Sequence, residues 1–358
     1  MALTGAMSAG ISGLKAHMDA LNVVGNNVAN VNTQGYKPGR VTFMESIYST
    51  QSAGSAGTAT VGGTNPRQTG YGVGIGTIDL DMSSRSLDST GRGMDCAIQG
   101  DGFFLVGDKT HDIDSMDALK GLTLTRVGNF EFRDGYLTDG QGNVVYGFIT
   151  RSNGDAPGTT PGDKPSTDLV PIRLPMKSTD PNSKGDAVYV GVDNQTGANV
   201  YPDNDPAATV DGFVDLENIS IDKNGKITGT NKDTGDPVVV GYIALGSVEN
   251  LNGVLHTEGP YYTAGDAAGD IRVGTPGNSV TGNLRNDKIR DGNNVVDPDS
   301  ALAEGSGATL MTGFLEASGT DLAAEFANMI IYQRGYQANT RIVTVTDTML
   351  EELVNMKR

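Results

Sequence analysis

Near the start of the chain the apolar residues Met7, Ile11, Leu14, Met18, Leu21 and Val28 recur at alternating steps of four and three, with Gly25 filling the one gap. A period near 3.5 is the seam of a coiled coil, so an amphipathic helix is expected within residues 1–32. Asn26, Asn27, Asn30 and Asn32 are poor helix formers and mark where it frays. The far end mirrors this pattern. Ser318 and Asp321 sit three apart, as in a helix cap, and no proline follows Asp299. Leu322, Phe326, Met329 and Ile330 then form an apolar face, followed by Tyr336, Ile342, Val345, Met349, Leu353 and Met356. A helix within 318–358 is expected. Helices that carry such stripes with nothing to bury them against seek each other or a neighbour, and order poorly without one.

Between the ends the period changes. Ser52–Pro66 is rich in Gly, Ser, Ala and Thr and reads as a flexible or extended linker within residues 33–70. From Tyr71 to Tyr146 short apolar runs alternate with turn residues, as in Gly102–Val106, Asn129–Phe132 and Gly142–Tyr146. Ser152–Asp211 shifts to Pro, Asp, Thr and Asn, and a buried-strand signal returns at Val238–Leu245. The fold class expected is mainly β with terminal α-helices: nested β domains, sandwich- or barrel-like, flanked by coiled-coil-forming helices. The β domain takes 71–150 and 238–317, and an inserted outer β domain takes 151–237.

Composition supports many turns, since the 358 residues include 50 glycines, about twice the average share. A net charge of −17, with no basic cluster to reverse it locally, argues against nucleic-acid binding. No run of about 18 apolar residues is present to span a membrane. The N-terminus lacks the pattern of a cleavable signal. Cys96 is the only cysteine, which excludes an internal disulfide; its neighbours suggest a small core residue rather than a nucleophile.

Candidate chemistry is sparse. His17, His111 and His256 show no metal-ligand spacing, and His17 lies off the seam, as a solvent-facing helix residue would. Gly70–Gly76 imitates a phosphate loop, but Thr77 stands where the dinucleotide pattern needs a glycine and no GK[ST] follows. Asp222–Lys226 resembles part of a calcium loop, yet its glycine is fourth rather than sixth, so a hairpin turn at Asn224-Gly225 fits better. Pairs such as Asp79/Asp81 or Glu351/Glu352 are what any acidic chain offers. No catalytic residue, cofactor or metal site is expected.

Several strings, in order, resemble one family. Asn22–Lys37 is similar to the N-terminal signature of bacterial flagellar rod and hook axial subunits. Ser89–Gly91, Ala97–Phe104, Thr125–Phe130, Gly135–Leu137 and Gly140–Gly142 resemble the core of that family, and Leu315–Leu322 and Met329–Thr340 its C-terminal signature. The resemblance implies terminal helices that form coaxial coiled coils in a tube, β domains facing outward, and export through the flagellar type III apparatus without a cleaved leader. It implies assembly with itself as a helical homopolymer, and contacts with distal rod, hook cap and hook–filament junction proteins. The 151–237 insertion resembles hook subunits more than the shorter rod subunits. A distal rod subunit is the second expectation, and a secreted β-rich adhesin is the alternative of a different class. Within the signature, Gly25 and Gly35 serve backbone geometry and Tyr36 and Phe43 packing, and Lys37-Pro38 turns the chain out of the helix.

Overall fold

The computed structural model describes residues 2–57, 60, 62–109, 119–149, 169–179, 184–185, 187–188, 191–192, 199–200, 210–278, 290–291, 294–295 and 307–356. The chain forms two compact units. One comprises residues 1–33, 37–81 and 318–358, and the other 34–36 and 82–317.

The first unit is built on helix α1 (Ala2–Ala29) and helix α2 (Leu322–Met356). α1 ends at the asparagine cluster, where the Asn30 side-chain amide donates to the carbonyl of Asn26 at 2.9 Å. Such side-chain competition for backbone partners is why asparagine stops helices. α2 begins at Asp321, whose Oδ1 accepts the N–H of Ala323 at 2.9 Å and of Ala324 at 3.3 Å. Those bonds satisfy amides that have no intrahelical partner. Ser318 is therefore not the cap: its hydroxyl donates to the Asn30 carbonyl at 2.8 Å.

The segment expected to be linker or extended contains strands β1 (Gly39–Glu45), β2 (Tyr48–Ser52) and β3 (Arg67–Gly70). β1 pairs antiparallel with β4 (Val73–Leu80), and β2 with β3. Beyond β2, Ser55 and Thr64 pair as an isolated bridge. The sequence reading assigned residues from 71 onward to the β domain, whereas β4 belongs to the helical unit. Its partner is β1, through Val41 opposite Ile78 and Phe43 opposite Ile75, the cross-strand apolar pairs that hold a two-stranded ribbon together. The phosphate-loop mimic falls here. Gly72 has φ +111°, and a Cβ on it would collide with the Ser12 hydroxyl of α1. The glycines thus let the ribbon lie against the helix.

The second unit is one large antiparallel sheet with smaller ribbons. Along its main path, 216–221 pairs with 226–231, then 237–243, 144–149, 103–107, 123–125, 261–264 and 254–256. The path ends at two different strands, so the sheet stays open rather than closing into a barrel. Residues 216–231 were expected in the inserted domain. They instead enter this sheet through a hairpin at Asp222–Gly225, where Gly225 takes φ +74° and Ile221 meets Ile227. Both isoleucines are buried with Val240 and Ile243 in the common core, and that burial draws the hairpin in. Of the expected 151–237 insertion, residues 151–168 and most of 180–209 lie outside the described residues.

Cys96 is wholly buried in this core. Burial, with help from Asp95, pushes its thiol far above the range in which a thiolate forms, as suits packing rather than reaction. Phe104 and Phe130 meet edge to face at 4.9 Å beside it. Gly128 passes so close that a Cβ would lie 2.0 Å from the Cys96 carbonyl oxygen. Backbone cannot yield as a side-chain tip can. Gly128→Ala should therefore lower stability by about 3 kcal/mol, read as a shift in the urea midpoint. A change within about 0.5 kcal/mol would show that this close approach does not exist.

Candidate functional site

The expected site is the pair of apolar stripes on α1 and α2, and the two helices do pack together antiparallel. They do so through other residues. The buried positions of α1 are Gly10, Gly13, Ala16, Ala20, Val24 and Asn27, small residues at steps of three and four. On α2 the most covered positions include Tyr332, Gly335, Asn339, Val343 and Thr346. A Cβ on Gly13 would stand 2.6 Å from the Asn339 side chain, and one on Gly10 would stand 3.2 Å from Val343. A Cβ on Gly335 would stand 2.6 Å from the His17 ring. Small side chains let the two backbones approach closely.

Polar groups set the register of this contact. Asn27 is 1% exposed; its amide donates to the Glu325 carboxylate at 3.0 Å and to the Gly39 carbonyl at 2.8 Å. Its Oδ1 accepts the Gly39 N–H at 3.0 Å. One residue thus fastens α1 to α2 and to the start of β1. The Thr320 hydroxyl adds a bond to the Asn27 carbonyl at 3.1 Å. His17 does not face solvent as its position off the seam suggested. It is half-buried, its ring 5.5 Å from Phe43 and 6.2 Å from Tyr332, which meet each other edge-on.

The stripes themselves remain mostly outside. Ile11 and Met18 are each 48% exposed and Met7 is exposed, while Leu14, Leu21 and Val28 are half-buried. On α2, Leu322, Phe326, Ile330, Tyr336, Ile342, Val345, Met349, Leu353 and Met356 are all exposed, and only Met329 is half-covered. The α2 residues also divide between two flanks. At 3.6 residues per turn, Leu322, Phe326 and Ile330 lie on one side, and Ile342, Val345, Met349 and Leu353 on the other. Ile331, exposed and absent from the expected set, extends the second flank. Sequence reasoning missed the buried stripe because it carries little hydrophobicity. Its signal is a row of Gly and Ala with the same heptad spacing, displaced around the helix from the apolar seam.

Charge is divided unevenly. The helical unit has 8 basic and 9 acidic residues, and the β unit 18 and 34. Nearly all of the net negative charge therefore lies on the β unit. Among the described residues no group of His, Cys, Asp or Glu is arranged to hold a metal ion, and no helix is long and apolar enough to cross a membrane.

Two outcomes test this packing. Gly13→Leu should separate the helices and cost about 2 kcal/mol in their thermal unfolding, followed by helical circular dichroism. Gly25→Ala, with nothing within 4 Å, should instead stabilise α1 by about 0.5–1 kcal/mol. The second test concerns Glu325. Burial holds its carboxyl above the usual carboxylate range, the Asn27 amide opposes that rise, and Asp321 adds to it. A carboxyl raised on folding makes the folded state bind the extra proton, so stability falls as pH rises through the raised value. Glu325→Gln keeps the acceptor for Asn27 and removes the charge. It should raise the melting temperature at pH 7, with the gain vanishing below the ordinary glutamate value; a gain that persists in acid would contradict this account.

Two family models match the ends of the chain: "Flagella basal body rod protein" over residues 7–37 and "Flagellar basal body rod FlgEFG protein C-terminal" over residues 311–356. Over 357 aligned residues the chain is 32% identical to the flagellar basal-body rod protein FlgG of Bacillus subtilis, covering 98% of this chain and 97% of that protein. It is 27% identical to the flagellar hook protein FlgE of Salmonella typhimurium, covering 98% and 99% of the two chains. With the hook protein FlgE of Borreliella burgdorferi it shares 25%, over 97% and 98%. Both matched models fall on α1 and α2, the elements whose apolar stripes lie uncovered, and the relatives match over almost the whole length. The chain belongs to the family of flagellar rod and hook proteins.

Proposed function

We propose that this chain is the structural subunit of the flagellar hook, a bendable tube that carries torque, and that it works by polymerising rather than by catalysis. The observation that carries the reading is the exposed apolar seam on both helices of a nearly uncharged unit. An exposed stripe of this length in water marks an interaction surface. A contact between unlike faces that does not close builds an open helical array. The self-assembly residues are Met7, Ile11, Leu14, Met18, Leu21 and Val28 on α1. On α2 they are Leu322, Phe326, Met329, Ile330, Tyr336, Ile342, Val345, Met349, Leu353 and Met356. In this reading the helices form a tube that resists twisting, the acidic β units face outward, and Ser52–Pro66 lets neighbours slide as the tube bends. Export by the flagellar type III apparatus, an extracellular position, and contacts with distal rod, hook cap and junction proteins belong to the same proposal. No cofactor is required.

A distal rod subunit is the second reading, favoured by the 32% identity with a rod protein that the alignment covers almost end to end. Electron microscopy of basal bodies from cells lacking the protein separates the two. Complete rods without hooks establish the hook subunit, rods that stop short establish the rod, and normal flagella refute both. Ile11→Asp and Val345→Asp fall on exposed positions and should each raise the critical concentration for polymerisation at least about 100-fold. Unchanged polymerisation would remove the seam from the assembly mechanism.

A further inference from the structure

Several of the short strings that identify the family lie outside the helix seams, and the structure brings four of them to one buried carboxylate. Glu316 is 2% exposed. Its carbonyl accepts the N–H of Gly35 at 2.8 Å, and its Oε1 accepts the N–H of Arg85 at 3.3 Å. Its Oε2 lies 3.7 Å from Nη1 of Arg126, whose side chain is fully enclosed. The same nitrogen donates to the Gly100 carbonyl at 3.0 Å, and the guanidinium covers the Phe103 ring at 5.4 Å. One residue later, the Ala317 N–H donates to the Ser86 carbonyl at 3.0 Å. Gly35 takes φ +69°, and a Cβ there would press on Val127 at 2.8 Å. The Asn22–Lys37, Ala97–Phe104, Thr125–Phe130 and Leu315–Leu322 strings therefore have a common purpose.

That purpose follows from the path of the chain. It passes between the two units after residues 33, 36, 81 and 317. Gly35 lies between the first two crossings, Arg85 shortly after the third, and Glu316 just before the fourth. Separate strands entering a β unit would each be free to hinge. Here one residue binds all of them on the β-unit side. The bonds lie in a dry environment where charged hydrogen bonds are strong and an unpaired charge is costly.

We infer that Glu316, held by Arg126, is a positioning residue that fastens every chain crossing to the β unit, so that force carried along the terminal segments enters that unit at one rigid point. The force-carrying part rests on the axial-subunit reading; the fastening does not. A merely stabilising ion pair predicts that replacing both charges with apolar residues of similar volume restores everything.

The test uses the full-length Glu316→Met, Arg126→Met double variant beside Glu316→Gln, which removes the strongest charge partner of the buried arginine. The double variant should melt well above the single one and within about 5 °C of the parent chain. In the double variant, amide hydrogen exchange at Arg85, whose N–H loses its carboxylate acceptor, should accelerate about 100-fold, with Lys226–Asn231 unchanged. Cells carrying it should assemble flagella yet swim more slowly than the parent in viscous medium. Unchanged protection at Arg85, or equal melting of the single and double variants, overturns the fastening. Altered protection with swimming unaffected overturns the force-carrying role alone. Normal flagella in cells lacking the protein would refute the axial reading and leave the exchange result standing.

Discussion

Two striped helices from opposite ends of a chain have several faces to bury and only one contact to make, and the close approach of α1 to α2 decides the rest. Gly10, Gly13 and Gly335 remove the side chains that would keep the backbones apart. The apolar seam of α1 is too bulky for that contact. It is consequently left outside, as is most of the apolar surface of α2. Burying an Ile or Leu contributes about 1.5–3 kcal/mol, so this choice leaves a large driving force unspent within the subunit. A chain whose object was to be stable alone would have packed the seams against each other. This one directs small residues inward and leaves its largest apolar side chains outside.

Polar groups supply what the small interface lacks. A Gly- and Ala-lined contact buries little area and specifies register weakly. Asn27 compensates by bonding α2 and β1 at once, and the Ser318 and Thr320 hydroxyls tie the approach to α2 to the end of α1. Unpaired buried amides and carboxylates are costly, so a one-turn slip of the helices would leave Asn27 and Glu325 without partners. Burial in that arrangement holds the Glu325 carboxyl above its usual range.

Much of this was legible in the sequence, though not all for the right reason. The 3.5 period located both helices, and the turn at Asn224-Gly225 was recognisable because glycine there must adopt positive φ. Cys96 read correctly as a core residue from its apolar neighbours. The seam was silent in one respect: it left open whether the helices seek each other or a neighbour, and gave no sign that they meet through small residues. Hydropathy cannot signal an interface made by glycine, and His17 looked solvent-facing because the Phe43 and Tyr332 rings beside it come from distant segments. The assignment of Val73–Leu80 failed similarly, since its apolar pairs fit either a β domain or a ribbon on a helix, and only the partner strand distinguishes them.

Charge segregation connects these points. With 34 acidic and 18 basic residues the β unit repels copies of itself, whereas the helical unit is almost neutral. Attraction and repulsion are thus assigned to different parts of one chain. Hydrophobic association of the neutral unit is short-ranged and insensitive to ionic strength, while repulsion between acidic units extends over about 10 Å at 0.1 M salt. In a polymer held together by the first, the second would keep neighbouring β units from sticking and leave them free to change spacing. In such a polymer the neutral surface would set what binds, and the acidic one how tightly the neighbours around it could crowd.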